Sequence, residues 1–483
     1  MVTEPELSPF NPESKALPIT QGRLMDFSDN PCTCMRRLYR THGNIAALEE
    51  QGQRLVFIFG PQYNQQVLSD ARTFHSRFFA IRGPRNSSQR RLTSGLLSMN
   101  GEEHKRHRRL VMSPFQRKSI EGYRDHLVEL AEQMLADWQP GQVRNIFRDM
   151  THYMLRVTSS ILFGFDLPEL AYEIGHMIER WVAMNHQLGM GAFISDPGIT
   201  SAYGKLLELA EALEAKILAM INLRRSLNSQ GNDVLSLLIQ ARDENGAGMT
   251  DAELIGQASV LFGAAHLTTA NSLTWNLFLL AQHPRITSDL VDELNGQLHG
   301  EAPTLEQMEQ LPLLERAIKE SMRVLPASAY SQRINVEPVA IGPFQLPRGT
   351  PIIFSQIITH HMPDLFPEPE RFWPDRWLGM TTSPYAYMPF AAGPRMCLGA
   401  SLAMTTIKVT LPLIVQRFRL TVVPGATING QVRSTMLAPT NGMPMIVSEP
   451  TEPFVASRVE GNIHEMVELR EADGATAGRE RAA

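Results

Sequence analysis

The sequence predicts a mainly α protein with a small β-rich lobe, and three observations carry that prediction. From about Asn100 to Pro326, apolar residues recur at three- and four-residue spacing, the period of helices that bury one face. Around Gln332–Ile353 the pattern changes to short alternating apolar runs broken by Pro and Gly, the texture of a small sheet. The composition, 43% hydrophobic and 20% charged over 483 residues, is that of a globular chain able to bury a large core.

Taken in order, residues 1–20 form an extended lead-in, and no helical periodicity shows before a short helix at Met35–Tyr39. Arg54–Phe59 (RLVFIF) is rich in branched and aromatic residues and ends at Gly60-Pro61, a strand followed by a turn. A helix follows over Gln65–Asp70, and Tyr123–Trp138, Leu206–Leu227 and Ala252–Gln282 read as longer helices. His186–Gly204 (HQLGMGAFISDPGITSAYG) carries glycines and a proline and reads as a long loop. Thr451–Ala483, charged and rich in Ala and Gly, reads as a polar, disordered tail. Length alone predicts two or three domains.

Several function classes are excluded at once. A net charge of −5 gives no global basic field for nucleic acid. Three cysteines, Cys32, Cys34 and Cys397, cannot build a disulfide framework. No run approaches the ~20 apolar residues of a membrane helix, and the polar N-terminus has no signal-like core. The expectation is a cytoplasmic protein without a membrane anchor. Phosphate-cradling glycine loops, HExxH zinc helices and GxSxG elbows do not occur.

Chemistry concentrates in Phe390–Gly399, FAAGPRMCLG, directly followed by an apolar helix over Ala400–Val415. A cysteine thiolate at a helix N-terminus is stabilised by free N–H groups and the helix dipole. Gly393 and Gly399 would let a flat ligand approach the backbone, and Arg395 supplies a fixed cation for an acidic edge of it. The segment resembles the haem-binding signature of the cytochrome P450 superfamily, Phe-x-x-Gly-x-Arg-x-Cys-x-Gly, at Phe390, Gly393, Arg395, Cys397 and Gly399. The resemblance implies haem b with Cys397 as the axial ligand of its iron. Lys319–Arg323 (KESMR) contains the family's Glu-x-x-Arg pair, Glu320 and Arg323, and Phe372–Trp377 (FWPDRW) supplies Arg376. The implied role of that triad is structural. Gly101–Leu110 (GEEHKRHRRL) resembles the family's C helix, which implies that His104 and Arg108 face the haem propionates. Arg333 is placed like a further propionate ligand, whereas Lys105, Arg106 and Arg109 belong to a solvated face. The match covers roughly residues 20–450 and replaces the several domains expected from length by one catalytic unit, residues 21–450.

Val260–Ser272 (VLFGAAHLTTANS) resembles the oxygen-activation helix but departs from it at one place. Ala264, Ala265, Thr268 and Thr269 fit, while Leu267 stands where the family has an acid. At ~100° per residue Ala264 and Thr268 share a face. His266, His360 and His361 read as structural histidines. The resemblance is to soluble bacterial members and implies a monooxygenase that hydroxylates or epoxidises a lipophilic small molecule, such as a natural product. Dioxygen and a ferredoxin or flavodoxin with its reductase would be its partners. Arg106, Arg109, Arg117 and Lys118 make a basic patch for the electron donor, and His186–Gly204, with Met190 and Phe193, a substrate lid. Without an acid at 267, protons would come through a substrate hydroxyl or a water bridged by His266. Alternatives are a peroxide-using enzyme, a rearrangement, dehydration or coupling enzyme, and a haem-binding protein without turnover.

Overall fold

One long helix, Asp251–Gln282, organises the chain. The computed structural model describes residues 15–77, 81–191, 197–227 and 231–469. The helix opens on a capping box in which the Thr250 hydroxyl accepts from the Glu253 amide while the Glu253 carboxylate accepts from the Thr250 amide. From Thr269 to Gln282 every residue is buried, enclosed by Ile146–Phe163, Pro312–Val324 and Ala400–Arg417. Two polar side chains in this stretch are satisfied within the helix: Thr274 Oγ1 and Asn276 Nδ2 donate to carbonyls four residues back, while the Trp275 indole donates outward to Leu437 O.

The β-rich lobe centres on a six-stranded sheet in the order Ile19–Gln21, Ile45–Glu50, Gln53–Ile58, Pro351–Phe354, Ser331–Asn335, Phe74–Ser76. The second and third strands form a hairpin through Gln51-Gly52, whose φ angles of 49° and 80° fit the twist of the flanking strands. Pro61 then opens the helix Pro61–Ser69 where a turn was expected. Its missing N–H falls on a first-turn position that has no helical acceptor anyway. The Gln332–Ile353 region is a sheet region as read, and it sets Arg333 opposite Ile352 on one side and Ser76 on the other.

Three expectations are corrected. The lead-in is structured from Ile19 onward: a strand, the helix Leu24–Asp29 and the helix Pro31–His42. Asn30 caps the second helix by accepting from the Thr33 amide at 3.1 Å, and Met35 and Leu38 are fully buried. Cys32 and Cys34 therefore lie in a packed helix. Most of His186–Gly204 is helical, because Pro168–Gly191 and Pro197–Ser226 run into it from both sides. Met190 falls within the first helix and Phe193 lies outside the described residues. The tail is not wholly solvated either: Val459, Ile463, Met466 and Val467 are buried, and the Glu468 amide donates to Glu370 O at 2.8 Å. Its scattered apolar residues are its docking face. Residues 470–483 lie outside the described ones.

Candidate active site

The cysteine loop is built by its own backbone. The Cys397 amide donates to Phe390 O at 2.9 Å, closing the loop, and Phe390 packs on the main core. Gly393 has φ of 72°, and a Cβ there would stand 2.1 Å from Leu68 O. Its absence of side chain is required by packing on the helix Pro61–Ser69. Gly399 differs: a Cβ would meet only Phe115 Cε1, at 4.0 Å, so this face of the loop is open to a flat ligand. Cys397 is exposed on the face left open by Gly399, yet the protein packed around it partly desolvates the thiol and pushes it up, while a hydrogen bond from the Gly399 amide and the charge of Arg108 pull it back. The helix N-terminus alone does not make a thiolate here. A metal cation on the sulfur would.

Around the loop, cations converge from three distant segments. His104 lies buried with its pKa lowered to about 4, by desolvation first and then by Arg395, Arg108 and Arg333. Burial also lowers Arg333 and Arg395, each to about 10. Arg108 donates to Met396 O at 2.9 Å, Arg395 to Met99 O at 2.6 Å, and Arg333 to Gln332 O at 2.9 Å. Among the described residues no carboxylate forms an ion pair with any of the three arginines. Clustered, desolvated cations without acids call for an anion. A haem fits this donor set, with a sulfur for its iron and the arginines and His104 for its two propionates.

The triad is a different kind of cluster. Glu320 and Arg323 are fully buried and paired at 2.9 Å, and Arg376 Nε reaches Glu320 Oε1 at 3.2 Å. Arg323 also donates to the carbonyls of His360, Pro369 and Arg371. The Trp373 amide and the Trp377 indole donate to Glu320. His360 Nε2 in turn accepts the Met388 amide at 2.9 Å, two residues before Phe390. The triad thus holds the chain that presents Cys397, and His360 is structural as read. Trp377 stood inside the FWPDRW motif, but nothing in the sequence pointed to its indole as a partner of Glu320.

On the central helix Ala264 is exposed, although the helix is otherwise largely enclosed; Thr268, half-buried, donates from Oγ1 to Ala264 O at 2.7 Å. This marks an inner wall at the expected place, with half-buried Ala265 and Leu267 beside it. His266 turns the other way, buried, with Nε2 3.0 Å from Thr151 O and 4.0 Å from Glu179. A water bridged by His266 toward Thr268 is thereby ruled out as the proton route. His361 is also structural, each ring nitrogen facing a carbonyl, of Ile357 and Met466.

The expected basic patch is internally neutralised. Arg106 pairs with Asp243 and Glu253, Arg109 with Glu244, and Arg117 with Glu121 and Glu309. Of its members only Lys118 has no ion pair among the described residues. Charges already paired contribute little field to an acidic partner. Among the described residues no helix is long and apolar enough to cross a membrane.

Comparison with known proteins agrees with this geometry. Residues 12–444 match the family model described as Cytochrome P450. Cyclooctatin synthase of Streptomyces melanosporofaciens is 30% identical over 413 residues, covering 82% of this chain and 87% of its own. Cyclooctat-9-en-7-ol 5-monooxygenase of the same organism is 29% identical, covering 80% and 84%. Pentalenene oxygenase of Streptomyces avermitilis is 28% identical, covering 88% and 94%. A retinoic acid-bound cyanobacterial P450 structure shares the fold with a TM-score of 0.78 at 22% identity, over 90% of this chain and all of that one. With a match over nearly its whole length and a haem-shaped set of donors around one cysteine, the chain belongs to the cytochrome P450 family of haem-thiolate monooxygenases.

Proposed function

We propose that this protein inserts one oxygen atom from dioxygen into a lipophilic small molecule of the terpene class, by hydroxylation or epoxidation. The observation that carries the site is the set of acid-free arginines, Arg108, Arg333 and Arg395, gathered with the neutral His104 around the loop of Cys397. The substrate class rests on the relatives, whose names specify cyclooctatin-type and pentalenene oxidations. In this reading Cys397 ligates the iron, and the three arginines with a donated N–H of His104 hold the propionates. Bound there, haem supplies the electron and dioxygen chemistry, and a thiolate ligand favours O–O cleavage.

The remaining work falls to the helix wall. Ala264 and Ala265 keep it low enough for dioxygen, and Thr268 is the hydroxyl placed to pass a proton. Its Oγ1 donates to Ala264 O, which leaves its lone pairs to accept a hydrogen bond from water, and it passes a proton on by turning that O–H away from Ala264 O as water re-supplies it. Leu267 offers no proton and His266 is turned away, so water on Thr268, or a hydroxyl of the substrate, completes the path. Electrons come from a ferredoxin or flavodoxin with its reductase.

The test is turnover of a polycyclic terpene with ferredoxin, reductase, NADPH and isotopically labelled dioxygen. One labelled oxygen per product is expected. Thr268→Ala should cut product per reductant about tenfold or more and release hydrogen peroxide instead. Cys397→Ser should abolish the thiolate-type Soret band of the ferrous carbon-monoxide complex. Full product from added peroxide, none from reductant, and an unaffected Thr268→Ala variant would replace this reading by the peroxide-using one, which Leu267 favours.

A further inference from the structure

Gln257 stands seven residues before Ala264, on the same stripe of the central helix, and is fully buried. Its Oε1 accepts the Leu96 amide at 3.0 Å, which orients the side-chain amide. Nε2 therefore faces His107 Nδ1, at 3.2 Å, as a donor. His107 must then carry its proton on Nε2, which lies 3.0 Å from Glu253 Oε1. Glu253 Oε2 is already engaged with the Thr250 amide at 2.7 Å, in the cap of the same helix. Every donor in the chain Leu96–Gln257–His107–Glu253 points toward the carboxylate, and none of its members is spare.

The segment this chain holds has a second end. Ser259 Oγ donates to Leu92 O at 2.7 Å, and Gly95 crosses the helix so closely that a Cβ there would stand 2.3 Å from Gly256 O. Beyond Leu96, the carbonyls of Leu97 and Met99 accept from Arg395 at 3.3 and 2.6 Å. We infer that Gln257 and His107 are positioning residues of the haem site: through Leu96 they set the two carbonyls that aim Arg395 at a propionate. The inference rests on reading Arg395 as a propionate ligand, so that residue is measured separately. His104 and Arg395 are in the cation cluster itself; His107, one helical turn from His104, serves it from behind.

The experiment uses haem-loaded protein and follows haem loss to excess apomyoglobin, with the reduction potential as a second readout. Arg395→Gln should lose haem about tenfold faster. A parental rate in Arg395→Gln would sink the propionate reading itself. Once that variant is fast, Gln257→Leu should be fast as well, and the double variant no faster than Arg395→Gln alone. A parental rate for Gln257→Leu, or effects that multiply in the double variant, would overturn the positioning role. Gln257→Glu is a near-isosteric check that a general loss of packing would not mimic. It places carboxylates at both ring nitrogens of His107, which also has Arg106, Glu103 and His104 near it. Burial, helped by Arg106, holds His107 below its ordinary value in the parent, and a second carboxylate pushes it back up, so the doubly protonated ring completes the chain at low pH. As pH rises and the ring loses a proton, a carboxylate faces a bare nitrogen and the chain breaks. Haem loss in this variant should be parental near about pH 6 and several-fold faster near about pH 9, while the parent stays flat. A flat profile for Gln257→Glu would overturn the inference.

Discussion

Two sets of basic residues lie close to the same cysteine loop, one buried and one only partly buried, and they have opposite electrostatics. In the first, Arg323 and Arg376 share Glu320, and their remaining N–H groups end on main-chain carbonyls. In the second, desolvation lowers the proton affinity of Arg108, Arg333, Arg395 and His104, neighbouring arginines lower it further for the last three, and no carboxylate pairs with any of them among the described residues. A closed set locks its own backbone and needs nothing more. An open one is costly until a ligand brings negative charge, and that cost is what makes it a binding site. The difference teaches that burial and charge do not by themselves separate structural arginines from functional ones. The presence of a partner acid does.

The sharpest way to break this comparison is to open the closed set. Glu320→Ala strands two buried guanidinium groups at about 3–5 kcal/mol, and Arg323→Ala, which leaves Glu320 to Arg376 and unpairs the carbonyls of His360, Pro369 and Arg371, should cost about as much. The expected result is aggregated or haem-free protein, read by the yield of the ferrous carbon-monoxide complex. A folded, haem-loaded Arg323→Ala enzyme with altered kinetics would place the triad in the chemistry instead.

Next in size, the open set should respond in the reverse sense. Arg333→Met replaces a buried, unpaired charge by an apolar chain of similar length that still packs on Phe354. Without haem the variant should melt no lower than the parent, while haem loss accelerates about tenfold. If haem-free Arg333→Met protein melts well below the parent, Arg333 has a structural role that the comparison denies it.

The smallest effect is a pH slope. The unfolded chain protonates His104 near 6.5, but the fold resists until about 4. Between those values the unfolded state binds more protons, so the stability of haem-free protein falls as pH drops from about 6.5 toward 4. His104→Gln should flatten that fall, read as urea midpoints across the range. Haem-loaded protein should show a smaller difference between parent and variant, because propionates among the arginines raise the pKa of His104. An equal difference with and without haem would separate His104 from the propionates.

The two sets also differ in how far they could be read from sequence. Glu320 and Arg323 sit one helical turn apart within KESMR, and Arg376 lies in a compact tryptophan-rich motif, so the pattern is local. His104, Arg108, Arg333 and Arg395 come from three segments that pairing and packing bring together. Only resemblance linked them, and the absence of an acid partner became visible only in three dimensions. Gly393 was legible as a required glycine, but the neighbour that requires it, Leu68 O, was not. His186–Gly204 read as a loop because glycine and proline weaken intrinsic helix preference, yet packing overrides that preference on either side.

By itself the sequence determined the fold class, located the cysteine loop and named the three members of the triad. These are carried by periodicity and by short motifs, whose chemistry depends on neighbours a few positions away. Tertiary structure alone decided that His266 faces Thr151 and not Thr268, that the basic patch is cancelled by Asp243, Glu244, Glu253 and Glu309, and that Gln257 meets Leu96 and His107. Each of these depends on which face a helix presents to elements more than a hundred residues away, or on where a loop folds back. That is settled by the packing of the whole core, and not by any local pattern.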